Sequence, residues 1–134
     1  MAAELFESRH KVRTFECDFY GHVNNSIYLQ YFEFGRMEAL EKKGFTLMNL
    51  RERGLVVVVH KITVVYCHPA FAGDWLVIET RMKDIQRSRG VFSQEIRRES
   101  DRKLLAEAEV LWVFTNLAGR PVRVPQMMID AFPL

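Results

Sequence analysis

One helix-length segment followed by four strand-like segments is the feature that most restricts how this chain can fold. The helical segment begins at Asn24 or Asn25, runs to about Lys43 and is rich in aromatic and apolar residues. The strand-like segments are β-branched or alternate apolar with polar residues, and they cover residues 55–67, 75–85, 91–99 and 104–115. We therefore expect an α+β layout, with one antiparallel sheet lying across one long helix.

The flanking segments extend this layout. Residues 10–17, "HKVRTFEC", mix polar and apolar side chains as an edge strand does, which predicts a sheet of about five strands. Gly44 stands where a helix commonly ends, and residues 46–53 are predicted as a short helix that stops at Gly54. Pro125 is predicted at the first position of a last helix, "PQMMIDAF".

Length, charge and cysteine content narrow the classes of function. We expect the 134 residues to form a single domain, residues 1–134. A net charge of +2 gives no argument for a nucleic-acid partner, and no run of about 18 apolar residues predicts a transmembrane helix. The first residues carry no apolar segment of the signal-peptide type, so we interpret the two cysteines as reduced and the protein as cytoplasmic.

A polar loop, "DFYGHVNN", stands directly before the apolar helix. Asp18 in such a loop can form an Asx-turn, and Gly21 can take a positive φ or let a ligand approach the backbone. Asn24 and Asn25 are good N-cap residues. The helix start offers free N–H groups and partial positive charge.

The loop, the helix and the following strands together resemble a known family. The segments "FECDFYGHVNNSIYLQYFEFGR", "KITVVYCHPAFAGDWLVIET" and "AEAEVLWVFTNLAGRPVRVP" follow in the expected order, over residues 12–132. The chain is similar to the 4-hydroxybenzoyl-CoA thioesterase-like branch of the hotdog-fold superfamily. It looks closest to the small bacterial acyl-CoA thioesterases associated with the Tol–Pal system. The resemblance implies a hotdog fold, and a homodimer or homotetramer with active sites at the subunit interface.

The resemblance also implies an enzyme that hydrolyses acyl-CoA to free acid and thiol. Such a reaction needs a nucleophile or a base for water, and donors for the developing oxyanion. We expect Asp18 to supply the first, as nucleophile or general base. By family analogy, the backbone N–H of Asn25 polarises the thioester carbonyl. The chain contains no G-x-S-x-G, which excludes a serine elbow of the α/β-hydrolase type.

Other residues around the loop have competing interpretations. His22 orients the substrate carbonyl, bonds the carboxylate of Asp18 or caps the loop. Tyr28 packs in the core or lines the acyl pocket, whereas Glu33 and Cys17 are interpreted as structural. A metal site built from Asp18, His22, His60 and His68 lacks metal-ligand spacing, and we expect no metal and no cofactor apart from the coenzyme A of the substrate.

The sequence "KDIQRSRGVF" contains a second candidate binding element. Arg87 and Arg89 flank a predicted tight turn, and guanidinium groups bind phosphates well, so we expect them to contact coenzyme A. An ordinary solvated hairpin is the alternative. Weaker candidates for the phosphates are Arg97, Arg98, Arg120 and Arg123.

Two other classes of function stay open at the level of sequence. A hotdog hydratase or dehydratase also uses Asp and His, although the Gly-His-Val-Asn-Asn loop does not match those enzymes. A non-catalytic module that binds acyl thioesters is the second alternative. The sequence leaves open the acyl group and the choice between coenzyme A and acyl carrier protein as the thiol carrier.

Overall fold

The structure, a computed structural model, describes residues 3–134. The elements in chain order are β1 (Phe6–Lys11), a 3-10 turn (Thr14–Glu16), α1 (Asn25–Lys42), α2 (Leu47–Glu52), β2 (Val56–Tyr66), β3 (Trp75–Gln86), β4 (Arg89–Arg98), β5 (Leu104–Thr115) and α3 (Gln126–Ala131). Within residues 3–134, no helix combines the length and the apolar character needed to cross a membrane.

The five strands form one antiparallel sheet in the order β1-β3-β4-β5-β2. The central strands come from consecutive hairpins, and β1 and β2 form the two edges. β2 is the longer edge, and its 11 residues are mostly β-branched. Its outer row of backbone N–H and C=O groups has no strand partner within residues 3–134, so β2 is open to pairing with another strand.

Helix α1 lies against one face of this sheet, as the sequence predicted. Phe32 is fully buried at the contact. Gly35 lets the helix backbone approach β3 closely, because a Cβ at this position would stand 2.6 Å from Cγ2 of Ile78. The helix is less completely covered than its composition indicated, since Leu29 is 39% exposed while the charged Arg36 is buried.

The helix ends follow the local signals closely. Asn24 is the N-cap of α1, and Gly44 follows its C-terminus with a φ of +87°. Thr46 caps α2 by accepting the N–H of Asn49. The prediction for α3 was off by one position, because Pro125 is the N-cap and not the first helical residue.

The predicted first strand at residues 10–17 is wrong. β1 spans Phe6–Lys11, where Phe6, Ser8 and His10 alternate toward α1 and pair with β3. The chain leaves the sheet at Val12 and forms the 3-10 turn, which is held by the N–H of Glu16 donating to the C=O of Arg13 over 3.0 Å. An edge strand pairs on one side only, so its position depends on β3, more than 60 residues away in the chain.

Candidate functional site

A cavity of about 280 Å³ lies where the polar loop, the start of α1 and the end of β2 meet. Its lining consists of Asp18, His22, Val23, Asn25, Tyr28, Tyr66, Cys67, His68 and Pro69. The structure therefore brings together four residues predicted from one short stretch of sequence, namely Asp18, His22, Asn25 and Tyr28. Gly21 shapes the loop and does not line the cavity.

The loop is a compact turn closed by its own backbone. The N–H of Asp18 donates to the C=O of His22 over 2.9 Å, and the N–H of Gly21 donates to the C=O of Asp18 over 3.0 Å. Gly21 has a φ of +87°, a conformation that other residues rarely adopt. Of the two alternatives expected for this glycine, the positive φ is observed, and the approach of a ligand stays a prediction.

One carboxylate oxygen of Asp18 holds the loop. Its Oδ1 accepts the N–H of Tyr20 over 2.9 Å, which forms the Asx-turn expected for an aspartate here. Its Oδ2 has no hydrogen-bond partner within residues 3–134, and the side chain is 26% exposed. The second oxygen is thus free to contact a ligand in the cavity that Asp18 lines.

His22 lies beside this carboxylate without bonding to it. Its Nδ1 is 3.9 Å from Oδ1 of Asp18, which is beyond hydrogen-bond distance, and the side chain is 40% exposed. The ring stacks on Tyr20 with centroids 6.1 Å apart and meets Phe71 edge-on at 6.3 Å. This imidazole therefore lines the cavity with two aromatic neighbours beside it.

Asn25, the first residue of α1, lines the same cavity. The side chain of Asn24 accepts the N–H of Ser26 over 2.9 Å, and the C=O of Asn24 accepts the N–H of Ile27 over 2.9 Å. Asn25 occupies the first helical position, where the N–H has no acceptor inside the helix. No partner for it occurs within residues 3–134. The N–H can therefore donate to a ligand, with the helix dipole behind it.

Two tyrosines form the inner wall. The buried Tyr28 accepts the N–H of Ala70 over 3.0 Å, and Tyr66 donates to the C=O of Asn25 over 2.9 Å. Their rings meet edge-on with centroids 5.3 Å apart. Burial raises the pKa of Tyr28 above the ordinary range, so its hydroxyl is neutral. Tyr28 packs in the core and also lines the cavity, whereas its contact with an acyl group stays a prediction.

Sequence reasoning missed the wall contributed by the end of β2. Tyr66, Cys67 and Pro69 were not selected, and His68 was considered only as a metal ligand. These residues follow Asn25 by about 40 positions, and no local motif marks them. Within residues 3–134, no group of three His, Cys, Asp or Glu residues has a geometry that could hold a metal ion.

Arg87 and Arg89 do not belong to this cavity. Arg87 lies in the two-residue turn between β3 and β4 with a φ of +43°, and Arg89 begins β4, so the predicted tight turn is confirmed. Arg89 pairs with Val113, which pairs with Val58 near the start of β2. The cavity adjoins Tyr66, eight residues further along, at a distance of roughly 25 Å. Within a single chain, the arginine turn and the Asp18 cavity therefore lie at opposite ends of the sheet.

The arginines considered as phosphate ligands differ in whether they form ion pairs. Arg97 pairs with Glu79 and Glu95, and Arg98 pairs with Asp74 and Asp101. By contrast, no ion pair within residues 3–134 involves Arg87, Arg89, Arg120 or Arg123, which are all exposed. Cys17, a neighbour of Asp18, is half-buried and does not line the cavity.

Comparisons with known proteins agree with this architecture. The family model described as the thioesterase-like superfamily matches residues 12–132. The chain is 32% identical over 133 residues to the Escherichia coli protein named acyl-CoA thioester hydrolase YbgC, which covers 98% of each chain. It is 29% identical over 130 residues to the Arabidopsis thaliana acyl-acyl carrier protein thioesterase ATL3, which covers 97% of this chain and 68% of that protein. The crystal structure of 4-hydroxybenzoyl-CoA thioesterase from Pseudomonas sp. strain CBS-3 superposes with a TM-score of 0.88 at 23% identity, covering 95% of this chain and 98% of that one.

Proposed function

Because the chain belongs to the thioesterase-like superfamily, we propose that it hydrolyses an acyl thioester to a free acid and a thiol. The family and the hotdog fold predicted from the sequence are both confirmed. The relatives carry names that specify coenzyme A or acyl carrier protein as the thiol carrier. We propose acyl-CoA as the substrate, with an acyl carrier protein thioester as the alternative.

One observation carries the proposal. Asp18, whose Oδ2 has no hydrogen-bond partner within residues 3–134, and Asn25, whose N–H has no acceptor within the same range, line the same cavity. A thioester carbonyl placed between them would have a negatively charged oxygen on its carbon side and a hydrogen-bond donor on its oxygen side. This pairing is what thioester hydrolysis needs, because negative charge develops on the carbonyl oxygen in the transition state.

Two sequences of steps fit this geometry. In the first, an oxygen of Asp18 attacks the carbonyl carbon, the thiolate leaves with the C–S electron pair, and water hydrolyses the mixed anhydride to regenerate Asp18. In the second, Asp18 takes a proton from water, the hydroxide attacks, and the thiolate leaves and is protonated. In both, the N–H of Asn25 stabilises the oxyanion, and His22 stands near enough to orient the thioester or to carry the proton.

The site would be completed by a second copy of the chain. A cavity of about 280 Å³ is slightly smaller than the usual small-molecule site, and acyl-CoA is a large ligand. β2 is an open, apolar edge on which Val59 and Val65 are nearly half exposed. Pairing of β2 with β2 of a second copy would cover this edge and give a homodimer, which can double to a homotetramer.

The same pairing would give Arg87 and Arg89 a role. In a symmetric antiparallel pair, the start of β2 in one copy lies beside the end of β2 in the other. The arginine turn of one copy would then adjoin the Asp18 cavity of its partner. Arg120 and Arg123 follow β5 at the same end of the sheet, where the N–H of Val124 donates to the C=O of Arg87 over 2.7 Å. These arginines would bind the phosphates of coenzyme A.

Release of thiol tests the proposal directly. Purified protein is incubated with a panel of short aliphatic, long aliphatic and aromatic acyl-CoA thioesters, and free thiol is followed with a thiol reagent. We expect turnover on at least one class. A hydratase would instead change the absorbance of an enoyl-CoA without releasing thiol, and a binding module would bind the thioester and do neither. The single domain, the cytoplasmic location and the independence from a further cofactor stay predictions.

A further inference from the structure

A buried carboxylate lies just behind the proposed catalytic loop. Glu16 ends the 3-10 turn, two residues before Asp18, and is 9% exposed. It does not line the cavity, so it cannot touch a substrate there. Burying an isolated carboxylate costs free energy of folding unless it is paired or hydrogen-bonded. The partners of Glu16 therefore show what the residue is held by.

Three groups donate to this carboxylate. The N–H of Arg13 donates to Oε1 over 2.8 Å, and the hydroxyl of Tyr31 donates to the same oxygen over 2.9 Å. Nε2 of His10 lies 2.9 Å from Oε1 and 3.0 Å from Oε2. Burial alone would raise the pKa of Glu16, but these contacts from Arg13, His10 and Tyr31 hold it below the ordinary range. The carboxylate is therefore charged at neutral pH.

Two of the three donors come from elements outside the segment that carries Glu16 and Asp18. His10 is in β1, and Tyr31 lies on α1, nearly two turns after the helix start. The backbone of Glu16 adds a further tie, because its C=O accepts the N–H of Asn24 over 3.0 Å. Glu16 thus connects the segment before Asp18 to α1 at two points, the N-cap and Tyr31.

Further contacts connect Tyr31 to the wall of the cavity. The ring of Tyr31 meets the ring of Tyr28 edge-on, with centroids 6.0 Å apart. Tyr28 accepts the N–H of Ala70, whose C=O accepts the N–H of Val23 at the other end of the loop. Both ends of the loop are therefore fixed to α1 through this pair of tyrosines.

We propose that Glu16 is a positioning residue, which acts with Tyr31 to hold the carboxylate of Asp18 in place relative to the N–H of Asn25. The inference rests on the proposed hydrolysis of thioesters. Asp18 and Asn25 are on different segments, a loop and a helix, and their separation determines whether the attacking oxygen and the oxyanion donor can serve one carbonyl. A displacement of about 1 Å between such groups can cost roughly 100-fold in rate.

The test is a cycle of variants that separates positioning from general stability. Glu16→Gln keeps the shape of the side chain but replaces one acceptor oxygen with a donor NH2 group. We expect kcat for the best acyl-CoA to fall roughly 10- to 100-fold with KM within about twofold of the wild type, because the loss is confined to the transition state. Glu41→Gln, at an exposed glutamate near the C-terminal end of α1, is the matched control and should leave both constants unchanged.

Combination with Asp18→Asn gives the decisive comparison. If Glu16 acts through Asp18, adding Glu16→Gln to Asp18→Asn should cause little further loss, because residues that act as a unit are not additive. An equal loss in both backgrounds would overturn the proposal, since Glu16 would then act independently of Asp18. Wild-type kcat in Glu16→Gln would overturn it as well.

A second variant keeps the test valid if Glu16→Gln does not fold. Tyr31→Phe removes one donor and leaves the charge and the ring in place, and we expect it to lower kcat roughly 3- to 10-fold with KM unchanged. Wild-type kcat in this variant would then contradict the proposal. Failure of the proposed function has a separate signature, because the wild-type protein itself would then release no thiol from any thioester of the panel.

Discussion

The hydroxyl of Tyr66 donates a hydrogen bond to the C=O of Asn25, with 2.9 Å between the two oxygens. This contact connects the last residue of β2 to the first residue of α1, and both residues line the candidate site. The helix start that carries the proposed oxyanion donor is therefore attached directly to the edge strand on which a second copy is expected to pair.

Tyr66→Phe should loosen this attachment. Because Tyr66 is about half exposed, water can replace the lost bond, and we expect the free energy of unfolding to fall by only about 0.5 kcal/mol. kcat should fall several-fold, since the first turn of α1 becomes less fixed. Thermal unfolding and thiol release measure the two effects. Tyr20→Phe, on an exposed ring outside the cavity, is the control, and an equal effect there would contradict the role of Tyr66.

Asp18→Asn should keep the fold and remove most turnover. The amide is nearly isosteric and can still accept the N–H of Tyr20, so the Asx-turn is retained. It can neither attack a thioester nor take a proton from water, and we expect kcat to fall roughly 100-fold or more. Steady-state kinetics and binding of a non-hydrolysable acyl-CoA analogue measure turnover and affinity. Near wild-type kcat would place the chemistry on another residue.

The open edge of β2 predicts a dimer or a tetramer at micromolar concentration. Replacing Val59 and Val65 with lysine would put like charges from two copies against each other and should give monomers. If the site is shared, those monomers should also lose activity on acyl-CoA. Sedimentation velocity and thiol release are the measurements. Met48→Lys, on the exposed side of α2, is the control, and a monomeric wild-type protein would refute the shared site.

Arg87→Ala combined with Arg89→Ala should raise KM for acyl-CoA and leave kcat nearly unchanged, because phosphate contacts far from the thioester bind ground and transition states equally. Each exposed contact should contribute about 1 kcal/mol or less and weaken at high salt. A truncated acyl-N-acetylcysteamine thioester, which lacks the phosphates, should show no difference. Arg81→Ala with Lys42→Ala, both exposed and outside β2, is the matched control. An equal loss on the truncated substrate would mean that the two arginines support the fold.

The stability contributed by Glu16 should depend on pH. Its pKa is lower in the folded protein than in the unfolded chain, where it is roughly 4.3. The folded state therefore gains stability above that value and loses the gain as pH falls through the lower, folded pKa. The melting temperature of the wild type should exceed that of Glu16→Gln at pH 7, and the difference should shrink as the pH falls below the unfolded value and through the lower, folded pKa. A constant difference would show that the charge of Glu16 is not the cause.

Much of the fold could be predicted from the sequence because its signals are local. The capping by Asn24, the break at Gly44 and the alternation along β3, β4 and β5 each depend on neighbouring residues. The first strand was misplaced because an edge strand takes its position from pairing with β3. The proline of α3 was misplaced by one residue because N-cap and first helical position differ only in backbone geometry.

The candidate site, like the fold, could be predicted from the sequence only in part. Asp18, Gly21, His22 and Asn25 stand within eight consecutive residues, and the chemistry of an acidic loop before a helix start could be inferred from that stretch alone. Tyr66 and Pro69 enter the cavity only because β2 ends beside the start of α1. The burial of Glu16 likewise depends on β1 and α1 folding against it. Backbone conformation follows from near neighbours, whereas the surroundings of a side chain are made by residues distant in the chain, and only the packing of helix on sheet brought those together.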